Sequence, residues 1–402
     1  MHEEYQPAEQ PDHDFPRRRG SLGRGTYAGR VLTRRPRMAA AVLLIVAALT
    51  SALTACDTAA PASGTASGGP KADGGSAPGR PASPAGGARP ADAAEPGITL
   101  AFAGDVHFIG RTRKLLSNPA TAFGPITPVL SSADLTMVNL ETAITRRGTP
   151  QPKTYHFRAP LAAFTALREA GIDVVTMANN HVLDYGQVGL ADTLAAARAA
   201  RFPYVGIGVS ARAAWAPYVT TIRGTRIAII GVSQVTELAS SWVATRHRPG
   251  EANAINTHRT LAAVRAARRL AGIVIVFMHW GTEGQACPDA QQLALAPRLA
   301  AAGATIIIGA HAHMLQGSGW LGRTFVAYGM GNFLWWEHSY STATGVLRLT
   351  VRPHAALEAR FIPAVVSATG QPVPETGARA RQAAAYYASL RRCAGLSAKP
   401  GR

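Results

Sequence analysis

Two histidines, His311 and His313, follow the apolar run Thr305-Ile-Ile-Ile-Gly-Ala. In extended chain an i, i+2 pair points to one side, so both imidazoles can reach one place. Neutral imidazole is the commonest metal-ligating side chain. Other segments repeat the form of an apolar strand followed by ligand-type residues, ending in Asp105 and His107, in Glu141, in Asn180 and His181, and in His279. Carboxylate, carboxamide and imidazole donors together suit Zn, Mn or Fe better than Ca or Mg. Asp105, His107, Glu141, Asn180, His279, His311 and His313 exceed what one tetrahedral site needs and suit two divalent cations, with Glu141 able to bridge. Two cations ~3.5–4 Å apart clamp the oxygens of an in-line displacement at phosphorus. His181, next to a ligand, is placed to protonate a leaving oxygen.

Hydrophobic periodicity shows the elements that must position these groups. Apolar strands are expected at 98–105, 135–141, 172–176, 204–208, 226–231, 272–280, 305–313 and 325–333, with an edge strand at 345–351. Residues 161–170, 190–200, 257–270 and 291–302 carry helical spacing. Alternating strand and helix implies a layered α/β fold. Strands buried on both faces read as continuous apolar runs, and ligands gather at their carboxyl ends. Asp105, Glu141, Asn180, His279 and His311 all fall there.

The chain has 402 residues and is 47% hydrophobic, enough for one large domain or two small ones. Residues 1–56 read as a leader: a basic flank, an apolar stretch from Met38 and a small-residue end. Leu53-Thr54-Ala55-Cys56 resembles a bacterial lipobox, which implies a lipid on Cys56 after cleavage. The alternative is an uncleaved anchor, although the stretch is shorter than the ~20 residues of a spanning helix. Both readings place the remainder outside the cytoplasm, at the outer face of the membrane. Residues 57–96, rich in Ala, Gly, Pro and Ser, cannot bury enough apolar surface to order and are expected to be a disordered linker. A folded domain at 97–366 and a C-terminal helix and tail at 367–402 remain. The net charge is +18, mostly from Arg. The absence of a basic helix stripe or an aromatic-interleaved basic motif argues against nucleic acid as a partner. An Ala- and Arg-heavy chain reflects the codon bias of a GC-rich genome more simply, and the functional reading that survives beside it is a basic surface favouring an anionic wall polymer or lipid headgroups. With Cys56 assigned to lipid, Cys287 and Cys393 are a pair in an oxidising compartment. A disulfide stapling the C-terminal helix to the core is expected, its rival being a free Cys287 beside the site.

The order Asp-x-His, bridging carboxylate, Asn-His, single His, then Gly-x-His-x-His resembles the calcineurin-like metallophosphoesterase superfamily. Within it the chain is similar to the CapA family of capsule and poly-γ-glutamate synthesis. The segments that carry this run in order: Gly104-Asp105, Asn139-Leu140-Glu141-Thr142, Lys153-x-Tyr155-x-Phe157-Arg158-Ala159-Pro160, Ala178-Asn179-Asn180-His181-x-x-Asp184-Tyr185-Gly186, His279-Trp280-Gly281-x-Glu283, Gly309-Ala310-His311-x-His313 and Tyr328-Gly329-x-Gly331-Asn332-Phe333. The resemblance implies a metallophosphoesterase-like β-sandwich flanked by helices. It assigns one cation to Asp105, His107 and His313 and the other to Asn180, His279 and His311, with Glu141 between them. Lys153, Tyr155, Arg158, Glu283 and Asn332 become candidate substrate contacts. The implied partners are an anionic envelope polymer such as poly-γ-glutamate and the membrane subunits of a capsule synthase. The implied activity is metal-dependent hydrolysis, with a non-catalytic binding or export subunit as the alternative. Asn-Leu-Glu departs from the usual Gly-Asp-x-x-Asp bridge, and His107 stands where many CapA-like chains have Met. Several roles stay open. Lys153, Tyr155 and Arg158 bind an anion or form a solvated loop. Asp184 orients His181 or caps the next helix. Glu283 supports His279 or is a plain loop residue, and Trp335 and Trp336 line a groove or pack.

Overall fold

Alternate side chains along each central strand enter different apolar layers, and this alternation builds the domain. The computed structural model of the chain describes residues 97–337, 339–352 and 357–401. The leader, Cys56 and the 57–96 linker lie outside the described residues. In chain order the main strands are β1 (Ile98–Val106), β2 (Leu135–Leu140), β3 (Val174–Thr176), β4 (Tyr204–Val205), β5 (Tyr218–Ile222), β6 (Thr225–Ser233), β7 (Ile273–Trp280), β8 (Ile306–His311), β9 (Ser318–Leu321), β10 (Thr324–Ala327), β11 (Asn332–Leu334), β12 (Ala343–Val351), β13 (Glu358–Val366) and β14 (Pro372–Pro374). The longer helices are α1 (Ala162–Glu169), α2 (Gly186–Ala200), α3 (Thr257–Leu270), α4 (Ala290–Ala302) and α5 (Gly377–Ser389).

The first sheet runs β14-β13-β12-β1-β2-β3-β4, with β11 beside the end of β1. Its β1 to β4 half is parallel, and β12 to β14 add antiparallel strands. The second runs β9-β10-β8-β7-β6-β5, parallel except for the two edge strands. On β7, Ile273, Ile275 and Phe277 face the layer between the sheets, where they meet Leu100, Phe102 and Met137. Val274, Val276 and Met278 point the other way, onto Val264 of α3 and Leu295 and Leu299 of α4. The outer face of the first sheet is covered likewise by Phe164 and Leu167 of α1 and Leu190 and Leu194 of α2. Each such side chain contributes about 1.5–3 kcal/mol on burial. The result is a four-layer α/β domain.

Two glycines set how closely the strand ends approach. A Cβ at Gly104 would lie 1.8 Å from the Gly331 carbonyl oxygen, and one at Gly309 would lie 1.8 Å from that of Tyr328. Both precede ligand-type residues, so the close approach packs the carboxyl ends of the strands together.

The expected edge strand at 345–351 is not at an edge. β12 pairs with β1 on one side and β13 on the other. The sequence of β13 mixes Glu358, Arg360 and Pro363 with apolar residues, which hides its strand character. Beyond it, α5 packs by stacking Tyr387 on Phe361 at 3.9 Å. Cys393 is disulfide-bonded to Cys287, with the Cα atoms 5.6 Å apart.

The short pair Ile207–Gly208 and Gly250–Glu251 buries Glu251 fully. Burial raises its carboxyl from 4.5 to about 8, partly opposed by a 2.9 Å hydrogen bond from Asn253.

Two outcomes follow from these contacts. Replacing both Cys287 and Cys393 by Ser opens a crosslink spanning 106 residues. The change is expected to lower unfolding free energy by up to about 4.7 kcal/mol on the chain-entropy account, read from denaturant midpoints. The raised folded pKa of Glu251 gives stability that is complete below about pH 4.5 and lost as pH rises through about 8. Glu251→Gln is expected to remove a slope of about 1.4 kcal/mol per pH unit across that window, measured by unfolding at several pH values.

Candidate metal centre

The ligand-type side chains gather where the inter-sheet layer reaches the carboxyl ends of the strands. On β2, Leu135 and Met137 face the other sheet, and Asn139 and Glu141 continue the same alternation. On β7, His279 continues the series of Ile273, Ile275 and Phe277. Asp105, Asn139, Glu141 and His279 are all fully buried, and Asn180, His181, His311 and His313 nearly so.

His311 and His313 do not meet as an extended i, i+2 pair. β8 ends at His311, and both residues have positive φ, 90° and 54°. Left-handed backbone at a non-glycine residue costs on the order of 1–3 kcal/mol and clusters at functional sites. Here it turns the chain so that both rings enter the nest, their centroids 5.9 Å apart.

The donor atoms form two triads, Glu141 with His311 and His313, and Glu141 with Asp105 and His279. Glu141 belongs to both. Its two carboxylate oxygens are buried and have no hydrogen-bond partner. Nε2 of His279 lies 2.9 Å from Oδ1 of Asn180 and 3.5 Å from Oε1 of Glu141. Burial, with Asp105 next in effect, pushes the Glu141 carboxyl well above its usual range. Burial likewise pushes His107, His279 and His311 well below theirs, so these imidazoles rest in the neutral, ligating form. An unpartnered buried carboxylate among neutral imidazoles lacks only a positive charge, and a cation supplies one.

Amide side chains hold this nest. Asn139 donates to Oδ1 of Asp105 at 2.8 Å and lies 3.2 Å from Nδ1 of His279. Asn179 donates to Oδ1 of Asn139 and to the Leu140 carbonyl, and accepts from the His181 amide. The His311 amide donates to Oδ2 of Asp105 at 3.1 Å. Sequence reasoning gave Asn139 and Asn179 no role. Their signal was adjacency to ligands and, for Asn139, a shared strand face with Glu141.

The remaining candidates separate. His107 is not brought into either triad. Its ring sits between Phe157 and Trp335, with centroids 4.5 and 4.3 Å away, and neither nitrogen has a partner. His181 stacks on Phe157 at 3.9 Å, and its Nδ1 lies 2.7 Å from Oδ2 of Asp184. Its Nε2 is 3.9 Å from Oε1 of Glu141. Asp184 orients His181 and does not cap α2, whose N-cap is Tyr185. Lys153 sits behind this pair. Its Nζ is 3.1 Å from Oδ1 of Asp184 and 2.9 Å from Oε2 of Glu237, and its side chain is 2% exposed. Burial raises Asp184 to about 7 against the pull of Lys153.

Tyr155 and Glu283 border a cleft of about 120 Å³ over His181 and His313, walled also by Trp336 and Tyr340. Glu283 accepts from the Tyr340 hydroxyl at 2.8 Å, and one of its oxygens is 4.0 Å from Nε2 of His313. Its neighbour is thus His313, not His279. Asn332 is fully buried and lies 2.9 Å from Nδ1 of His313. Trp335, though buried, and Trp336 both line the cleft. Arg158 faces elsewhere, packing over the Tyr185 ring at 4.6 Å.

Together these features define a layered α/β domain with a candidate metal-binding nest between its sheets. The profile of the bacterial capsule synthesis protein PGA_cap family matches residues 99–335, and the chain belongs to that family. The capsule biosynthesis protein CapA of Bacillus anthracis is 28% identical over 294 residues, 70% of each chain. The PGA biosynthesis protein CapA of Bacillus subtilis strain 168 is 28% identical over 243 residues, 59% of this chain and 63% of its own. Among solved structures, a phosphatase from Mycoplasma pneumoniae aligns with TM-score 0.43 and 15% identity over 71% of this chain and 96% of that one.

Lys153→Met leaves Asp184 buried without its cation and is expected to cost about 3–5 kcal/mol in equilibrium unfolding. Unchanged stability with only a raised KM would instead mark Lys153 as a substrate contact.

Proposed function

We propose that this protein is a metal-dependent hydrolase of phosphoesterase type, acting on an anionic envelope substrate during capsule or poly-γ-glutamate synthesis. The observation that carries the reading is Glu141: fully buried, unpartnered at both oxygens and shared by two ligand triads. Asp105, Glu141, Asn180, His279, His311 and His313 would hold two divalent cations, and the mixed nitrogen and oxygen donors favour Zn, Mn or Fe. Such cations supply charge neutralisation at phosphoryl oxygens and a lowered pKa for bound water.

The chain's own residues do the rest. Asp184 fixes the His181 ring by holding Nδ1, which leaves Nε2 toward the nest as the atom that moves a proton to or from the substrate. Burial lowers the His181 pKa, so the ring rests neutral and Nε2 takes a proton before it can give one. Phe157, stacked on His181, keeps water from that face of the ring. Residues 38–56 support attachment through a lipid on Cys56 at the outer face of the membrane. The disulfide, a bond of oxidising compartments, agrees.

A second reading is a binding or export subunit within a capsule synthase, which keeps the nest without turnover. It is favoured by the place of His107, which lies outside both triads.

Metal content of the purified chain, paired with turnover of a phosphodiester and a phosphomonoester, separates the two. About two transition metals per chain with metal-dependent turnover supports the hydrolase. In that case His181→Ala is expected to lower kcat by about 10²–10⁴-fold at unchanged metal content. No bound metal, and no turnover after Mn or Zn is added, supports the binding subunit.

A further inference from the structure

The cleft over the nest is poorly suited to hold a polyanion. Its walls are aromatic, its charged rim is Glu283 and Glu337, and no Lys or Arg is among the described residues that line it. Lys153, the nearest cation of the loop, is consumed by Asp184 and Glu237. A negatively charged polymer therefore needs a separate holding site.

A second cleft, of about 330 Å³, has the opposite character. It is lined by Arg113, Arg146 and Arg158 with Thr145, Ala159 and Pro160, and no carboxylate lines it. All three arginines are exposed. Among the described residues, none of them makes an ion pair or side-chain hydrogen bond. The neighbouring acid, Asp192, is already satisfied by Arg147 at 2.5 Å and Thr145 at 2.6 Å. Arg158 is held by the Tyr185 ring, 4.6 Å from its guanidinium carbon, so less freedom is lost when it binds. Three unpaired guanidinium groups around one concavity repel one another, and an oxyanion relieves that repulsion. The planar fork of Arg matches carboxylate geometry bidentately.

The two clefts share the segment 155–160, and the second also draws on chain that follows His107 and Glu141. Arg113 ends the short helix that follows His107, and Arg146 follows the strand Ala143–Ile144 just after Glu141. Phe157 immediately precedes the short strand that begins at Arg158, and the two side chains go to different clefts. Phe157 lies on His181 while Arg158 lines the second cleft. A chain lying across this segment would meet both sites.

We propose that Arg113, Arg146 and Arg158 form a carboxylate-binding subsite that holds an anionic polymer chain beside the metal centre. The proposal rests on the functional reading above for the class of substrate, not for the site itself.

The test measures binding of poly-γ-glutamate of defined length to the full-length chain at low and moderate salt. The variants are R113Q/R146Q/R158Q and R113Q/R146Q, the second leaving the Arg158–Tyr185 contact intact. The control, R212Q/R265Q/R379Q, removes the same charge from exposed positions elsewhere. The cleft triple variant is expected to weaken binding at least tenfold and flatten its salt dependence. The double variant should show a smaller loss, and the control less than a twofold change. Equal weakening by the cleft and control variants would show bulk charge alone and overturn the subsite, as would a wild-type chain that fails to bind the polymer at low salt. Loss of inorganic polyphosphate binding with poly-γ-glutamate binding retained would overturn the carboxylate assignment. Turnover of a small phosphodiester, followed in parallel, depends on the nest and not on the arginines. Its absence in the wild type would count against the hydrolase while leaving the binding result to stand or fall separately.

Discussion

A carboxylate withdrawn from water must find a positive charge or a proton, and the arrangement around Glu141 follows from that constraint. Glu141 has no hydrogen-bond donor of its own, whereas Asp105 beside it accepts from Asn139 and from the His311 amide. The protein thus satisfies one acid internally and leaves the other to be satisfied from outside. The imidazoles facing Glu141 cannot serve as the counter-charge, because burial holds them neutral. On the function proposed above, each desolvation cost that would be a defect in an ordinary core would be offset by a bound cation. The two sheets make this possible: their shared apolar layer excludes water from below, and the close approach at Gly104 and Gly309 brings the ligand-bearing ends together.

A second charge system is kept apart from the first. Lys153 neutralises Asp184 and Glu237 from behind, so the His181–Asp184 pair has a fixed orientation without adding negative charge to the nest. The amide relay from Asn179 through Asn139 ties β2, the loop after β3 and the end of β7 into one unit. The positions of Asp105, His279 and His181 are therefore linked. Displacing any one of these amides would disturb ligands on both sheets.

The gathering of Asp105, Glu141, Asn180, His279 and His311 was legible because strands buried on both faces leave unbroken apolar runs, and these residues end those runs. The direction of individual side chains was not. Lys153, Tyr155 and Arg158 sit within six residues, yet one is buried in an ion pair, one borders the metal cleft and one lines the arginine cleft. Spacing alone cannot distinguish these, since the segment is a short strand within a loop. His107 met the motif by residue type; that its ring would pack against Phe157 and Trp335, both nitrogens unpartnered, was not readable from spacing. Glu237 had no local signal, for it joins the site only across the fold, through Lys153 and Asn180. The strands after Val351 were obscured because charged and proline residues punctuate β13.

The polarity of β1 also orients the whole domain. The strand begins at Ile98 and delivers Asp105 at its far end, about 23 Å away at 3.3 Å per residue. The chain therefore enters the sheet at the end remote from Asp105. Whatever is attached through that entry point stands a strand's length away from the nest and leaves its mouth uncrowded.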